Sequence, residues 1–279
     1  MQIITDRQEL ARLVTQWHRQ GETIGVVPTM GSLHNGHLAL VRALDGKVTR
    51  RIVTIYVNPI QFNNADDFRL YPRSPEADAD LLRQTGIVDV LYTPDSQDMY
   101  PEYFSTQVTV SDADTILCGA DRPGHFNGVT TIVTKLLMQT GADVAVFGEK
   151  DFQQLSIIRR MTEDLNFPVS VLSVPVVREA DQLALSSRNR RLTAQQRRQA
   201  AQLPSLLLAC IASMKHDQTE EDALATCRTK LTQAGFTVHY LELRSGETLK
   251  ITAAADPSAR LFVAASLGDI RLIDNMPLS

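Results

Sequence analysis

Cysteine is nearly absent from this sequence. Only Cys118, Cys210 and Cys227 occur in 279 residues, an odd number without metal-ligand spacing. That argues against a disulfide framework and a zinc cluster, and it fits a reduced, cytoplasmic setting. Long apolar runs are missing too. No stretch approaches the ~18 residues needed to cross a bilayer, so no membrane association is expected. Residues Met1 to Arg7 lack the apolar centre of a secretory leader. Basic charge is not in excess: 28 Lys and Arg stand against 32 Asp and Glu, for a net charge of −4. No general affinity for nucleic acid is expected, and an anionic substrate would need a local positive pocket. Internal repeats and low-complexity tracts are also lacking.

What is present is an ordinary globular composition, 43% apolar over a length that suits one large or two modest domains. Up to about residue 175, strand-like and helix-like segments alternate. Thr23–Val27, Arg51–Val57, Val88–Tyr92, Asp143–Phe147 and Val169–Val174 read as buried strands. Ser74, Pro75 and Glu76 mark the start of a helix that runs to about Gly86. Val129, Ile132, Val133, Leu136 and Leu137 carry helical spacing, closed by Gly141. Such alternation implies an α/β fold with a Rossmann-like, doubly wound parallel sheet. After Arg178 the pattern changes. A long helix from Thr193 to about Lys215 is expected, interrupted near Pro204, then another over Thr219–Gln233. Strands follow at Val238–Leu243, Arg260–Ala265 and Arg271–Ile273. A nucleotide-binding domain over 1–176 and a smaller α+β lid domain over 177–279 are expected.

The most informative segment joins the first strand to a helix: Pro28-Thr29-Met30-Gly31-Ser32-Leu33-His34-Asn35-Gly36-His37. Two histidines three residues apart at a helix start share a face. Free N–H groups at that helix end favour an anion. Imidazole and backbone donors thus converge where open α/β sheets bind ligands, which suits handling of ATP phosphates. The alternatives are a zinc half-site or two surface histidines. A metal would need further ligands, and no suitable spacing supplies them.

Four more clusters stand at strand or loop ends. Asn58 and Gln61, around Pro59, offer amides that could orient a polar ligand, or they form a plain turn before Phe62. Arg122, Gly124, His125 and Gly128 open a helix. Arg122 could meet a carboxylate or phosphate, or the run is a loop and cap. In Phe147-Gly148-Glu149-Lys150-Asp151-Phe152-Gln153-Gln154, Lys150 gives a point charge at a helix start and Gln154 lies one turn on. An exposed charged turn is the alternative, and it would account for Glu149. Ser186, Ser187 and Arg188 form a candidate phosphate clamp on a segment that could move, although Ser-Ser-Arg is also common in solvated loops.

Taken together in this order, these motifs resemble those of the pantothenate synthetases, the pantoate–β-alanine ligases. The resemblance runs nearly end to end and extends to Tyr240-Leu241-Glu242-Leu243 and Asp274-Asn275. The first and last motifs also resemble the signatures of the wider nucleotidyltransferase and class I tRNA synthetase group. The resemblance implies ATP-dependent joining of (R)-pantoate to β-alanine through a pantoyl adenylate, with AMP and pyrophosphate released. It implies His37, His34 and Lys150 as catalytic groups. The implied ATP site takes Met30, Gly31, Ser32, Leu33, His34, Asn35, Gly36 and His37 from the first turn. It takes Gly148, Glu149, Lys150 and Asp151 from the second, with Val177, Leu185, Ser186, Ser187 and Arg188. Gln61 and Gln154 would hold pantoate, Gln61 also lying near β-alanine. Mg2+ is expected on the phosphates without an assigned protein ligand, and a homodimer is expected.

Three departures from the family pattern stand out. Gln182 occupies a position usually held by Gly, Ala142 one usually held by Pro, and the loop 63–67 is one residue shorter. If position 182 takes positive φ, the glutamine costs about 1 kcal/mol. Two other activities remain compatible with the residues: a nucleotidyltransferase that stops at a nucleotide product, and a nucleotide sensor without chemistry. Pyrophosphate and AMP release, with and without β-alanine, separates the three.

Overall fold

The structure is a computed structural model that describes residues 1–216 and 218–279. These residues divide into two compact units. One comprises Met1–Glu149 and Gln154–Pro175; the other comprises Lys150–Gln153 and Val176–Ser279.

The first unit is built on six parallel strands: β1 (Gln2–Ile4), β2 (Ile24–Thr29), β3 (Arg50–Ile55), β4 (Val90–Tyr92), β5 (Val144–Gly148) and β6 (Ser170–Val174). Their spatial order is β1-β4-β3-β2-β5-β6. Helices connect them: α1 (Arg7–Arg19), α2 (Asn35–Arg42), α3 (Ala65–Arg69), α4 (Pro75–Thr85), α5 (Ser96–Met99), α6 (Leu117–Asp121), α7 (His125–Thr140) and α8 (Phe152–Asp164). The chain moves from β2 to β3 on one side and returns to place β5 on the other side of β2. That reversal leaves a crevice beyond the carboxyl ends of β2 and β5, where ligands bind in such sheets. Val27, Val53, Leu91 and Val146 from the strands meet Leu38, Val41 and Leu82 from α2 and α4 in one core.

Local chemistry explains most element ends. Gly86 and Gly141 close α4 and α7 in the left-handed conformation. Ser74 stands at the start of α4, but its hydroxyl meets Asp78 at 3.3 Å and caps no backbone N–H. The pair β1 and α1 has no counterpart in the sequence-based expectation. Asp6 caps α1 by accepting from the Glu9 N–H, and Leu10, Val14 and Trp17 form its buried stripe. The short loop 63–67 contains the first residues of α3, capped by Asn64.

The second unit holds α9 (Ala194–Ala200), α10 (Gln202–His216) and α11 (Glu220–Gln233) with an antiparallel sheet, β7 (Thr237–Ser245), β8 (Ala259–Leu267) and β9 (Ile270–Pro277). The expected helix over 193–215 is interrupted, but at Ala201 instead of Pro204. Pro204 lies in the first turn of α10, where its missing N–H loses no helical bond. The three strands run longer than expected. Val263 and Leu261 of β8 pack with Leu207 of α10 and Leu231 of α11.

Candidate active site

Thr29 ends β2, and the chain then turns sharply. Gly31 has φ +80 and Ser32 has φ +51, two successive left-handed residues. A side chain at Gly31 would also come within 3.0 Å of Asp78 and Ile55. Asp78 holds this turn. Its carboxylate, only 3% exposed, accepts from the backbone N–H of Ser32 and of Leu33, each at 2.8 Å. No motif marks Asp78 in the sequence. The available signal was a carboxylate on the apolar stripe of α4, one helical turn before Leu82.

The two histidines form the cap of α2. His34 is the N-cap residue, and its Nδ1 accepts from Gly36 N–H at 3.1 Å. His37 reaches back so that its Nδ1 accepts from His34 N–H at 3.2 Å. The rings lie 4.1 Å apart and tilted by 36°. With both Nδ1 atoms accepting, the neutral rings carry their proton on Nε2. A pair of imidazole donors thus sits on a helix N-terminus, as an anion requires. Among the described residues no group of three or more His, Cys, Asp and Glu is placed to hold a metal. Asn35 is exposed, Met30 and Gly36 are half-buried, and Leu33 is buried in the core.

Beyond β3, Pro59–Gln61 forms a 3-10 turn that brings Gln61 beside Met30, with Nε2 donating to the sulfur at 3.0 Å. Asn58 donates from Nδ2 to Gln61 Oε1 and to the Gly128 carbonyl, both at 3.0 Å. The Arg122–Gly128 segment serves the same turn. Arg122 donates to the Gln61 carbonyl at 3.2 Å, and His125 donates to it from Nδ1 at 2.7 Å. The other His125 nitrogen accepts from Arg122 at 3.1 Å. A Cβ at Gly128 would lie 2.7 Å from the Gln61 backbone, so only glycine permits this approach. In this structure, then, Arg122 grips a backbone carbonyl. Gly148 ends β5, and Glu149 accepts from Ser173 Oγ at 3.2 Å, so it is more than an exposed turn residue. Gln154 is half-buried on α8.

In the second unit, Lys150 and Asp151 lie in a 3-10 turn, before the α-helix instead of inside it. Lys150 Nζ is 3.7 Å from an Asp151 carboxylate oxygen. Its carbonyl accepts from Asn275 Nδ2 at 3.0 Å. Asn275 also bonds Arg260, whose guanidinium stacks 4.1 Å above the Phe152 ring. Val177 and Leu185 face each other in a tight hairpin, with the Leu185 N–H donating to the Val177 carbonyl at 2.9 Å. Gln182 takes φ +69 at its bend, the conformation that favours glycine. Arg178 braces the hairpin, bonding the Gln182 carbonyl and, through both Nη atoms, the buried Asp274 carboxylate at 2.7 and 2.9 Å. Asn189 donates to Glu179 and to the Ala184 carbonyl. Ser186 starts the 3-10 helix Ser187–Arg191, its oxygen accepting from Arg188 N–H at 3.3 Å. Ser187 is buried and Arg188 half-buried.

Met30, His34, His37 and Gln61 thus converge on the β2 and β3 ends of one unit. Lys150 and the Val177–Arg188 segment belong to the other.

The family profile described as pantoate-beta-alanine ligase matches residues 2–277. A pantothenate synthetase of Chelativorans sp. is 51% identical over 98% of this chain and 96% of its own length. One from Paracoccus denitrificans is 50% identical over 99% and 98%. The crystal structure of pantothenate synthetase from Thermus thermophilus superposes with a TM-score of 0.93 at 40% identity, covering 100% of this chain and 99% of that one. A Francisella tularensis pantoate-beta-alanine ligase, complexed with beta-gamma ATP and beta-alanine, gives a TM-score of 0.86 at 32% identity over 100% and 98%. Identity at this level from end to end, on the same two-part architecture, means that the chain belongs to the pantoate-beta-alanine ligase family.

Proposed function

We propose that this chain joins pantoate to β-alanine at the expense of ATP, by way of a pantoyl adenylate. In the first half-reaction the pantoate carboxylate attacks the α-phosphorus and pyrophosphate leaves. In the second, the β-alanine amine attacks the acyl carbon and AMP leaves. The observation that carries this reading is the paired-histidine cap of α2 in a chain half-identical to pantothenate synthetases throughout.

Charge develops on the α- and β-phosphate oxygens as the bond to pyrophosphate breaks. Donors already fixed in place stabilise that charge without reorganising. His37 and His34 supply them through Nε2–H, since each Nδ1 is engaged with the backbone. Met30, Gly31, Ser32, Leu33, Asn35 and Gly36 shape the same turn and receive the adenylate. Lys150 stabilises the departing pyrophosphate as a point charge. Ser186, Ser187 and Arg188 clamp phosphates, Gly148, Asp151 and Val177 contact the nucleoside, and Glu149 and Leu185 complete the ATP site. Gln61 and Gln154 hold pantoate. Mg2+ enters as part of the ATP substrate, ligated by phosphate and water. The working state is a cytoplasmic homodimer.

The test is isotopic. ¹⁸O placed in the pantoate carboxylate must appear in AMP, and AMP release must require β-alanine while pyrophosphate release must not. Unlabelled AMP beside labelled pyrophosphate or phosphate would overturn the adenylate route.

A further inference from the structure

Tyr100 belongs to no motif, yet it ends a hydrogen-bond chain that reaches Gln61 and Met30 of the candidate active site. Its phenol donates to Asn58 Oδ1 at 2.7 Å. The direction of every bond in this chain follows from one fixed point. The Gly128 carbonyl can only accept, so the Asn58 atom 3.0 Å away must be its amide nitrogen. Asn58 Oδ1 then faces Tyr100, which must donate. The second N–H of Asn58 points to Gln61, which must answer with Oε1. That leaves Gln61 Nε2 on the side of Met30. Asn58 is 1% exposed and Gln61 8% exposed, so water is a poor substitute for any of these partners. Burial pushes the Tyr100 phenol well above its ordinary ionisation range, which keeps the donor protonated.

We propose that Tyr100 is a positioning residue for the acid substrate: through Asn58 it holds the Gln61 amide with its N–H2 presented to the substrate and its oxygen turned away. The thioether of Met30 is a weak acceptor. A carboxylate or hydroxyl oxygen of a small hydroxy acid makes a much better partner for the same N–H2. The chain therefore selects an oxygen acceptor at this point and disfavours a donor. This inference rests on Gln61 being a substrate ligand, as proposed above.

Tyr100→Phe removes the hydroxyl and keeps the ring, which packs edge-on against Phe104 at 5.1 Å and beside Tyr56 at 6.2 Å. The experiment measures KM for pantoate and for ATP in Tyr100→Phe, Gln61→Ala and the double variant. Tyr100→Phe is expected to raise the pantoate KM about tenfold, the scale of one buried hydrogen bond, with ATP KM changed less than about twofold. In the Gln61→Ala background the same substitution is expected to have no further effect on pantoate, because the group it acts through is gone. A normal pantoate KM in Tyr100→Phe, beside a raised one in Gln61→Ala, overturns the proposal alone. An equal rise in pantoate and ATP KM also overturns it, as does a full additive effect in the double variant. A normal pantoate KM in Gln61→Ala overturns the substrate assignment on which the proposal stands.

Discussion

Removing the Asp78 carboxylate tests the architecture of the β2–α2 turn most directly. The turn carries two consecutive left-handed residues, Gly31 and Ser32, and a non-glycine there costs about 1 kcal/mol or more unless something holds it. Asp78 is that support, accepting from two backbone N–H groups at 2.8 Å while almost wholly buried. Asp78→Ala strands both donors. Each unpaired buried N–H costs about 1–3 kcal/mol, and water entering the vacated space recovers part of it. A net loss of about 3 kcal/mol follows, which lowers Tm by about 6–12 °C in a chain of this size. Asp78→Asn keeps the shape but turns an N–H2 toward one of the two backbone donors, so one bond is lost and about half the effect is expected. The turn leads directly into the His34 cap, so ATP affinity should fall about tenfold or more in Asp78→Ala, roughly 1.4 kcal/mol. Differential scanning calorimetry and isothermal titration with ATP measure both. Unchanged Tm and ATP affinity in Asp78→Ala would refute the reasoning.

Gln182→Gly should raise stability by about 1 kcal/mol, a Tm gain of about 2–4 °C, by relieving the left-handed φ at the hairpin bend; an unchanged or lower Tm counts against that strain. Lys150→Ala should slow single-turnover adenylation about 10²-fold, roughly 3 kcal/mol, and spare amine attack on preformed adenylate; wild-type pyrophosphate release would remove Lys150 from the first step. Spectrophotometric titration should show Tyr92, whose phenol burial pushes up to about 12, ionising late, and Tyr100, which burial raises further still, ionising after it. A folded-state value raised above the unfolded one contributes stability that is complete below about pH 10 and lost as pH rises through about 12, so ionisation of both at pH 10 without unfolding would contradict their burial.

The alternation of apolar strands with capped helices is written in local sequence, and the observed sheet follows it strand for strand from β2 to β6. The His34–His37 cap is equally local, because both partners lie within one helical turn and need only the helix to meet. Elements without a strong motif were less legible: β1 is three residues long, and the break between α9 and α10 falls at an alanine. For residues acting across the chain, the partner could not be read even where the residue itself stood out, as Arg122 did. Asp78 lies 46 positions from Ser32, Arg122 lies 61 from Gln61, and Asn275 lies 125 from Lys150. Each serves a backbone N–H or carbonyl that every residue type carries, so the partner's identity leaves no mark on the sequence at the position it serves. Apolar periodicity along the chain, with local caps, determined which segments became strands and helices. Only the packing of α4, α7 and β9 in three dimensions decided which carboxylate, imidazole and amide would hold the turns that carry Ser32, Gln61 and Lys150.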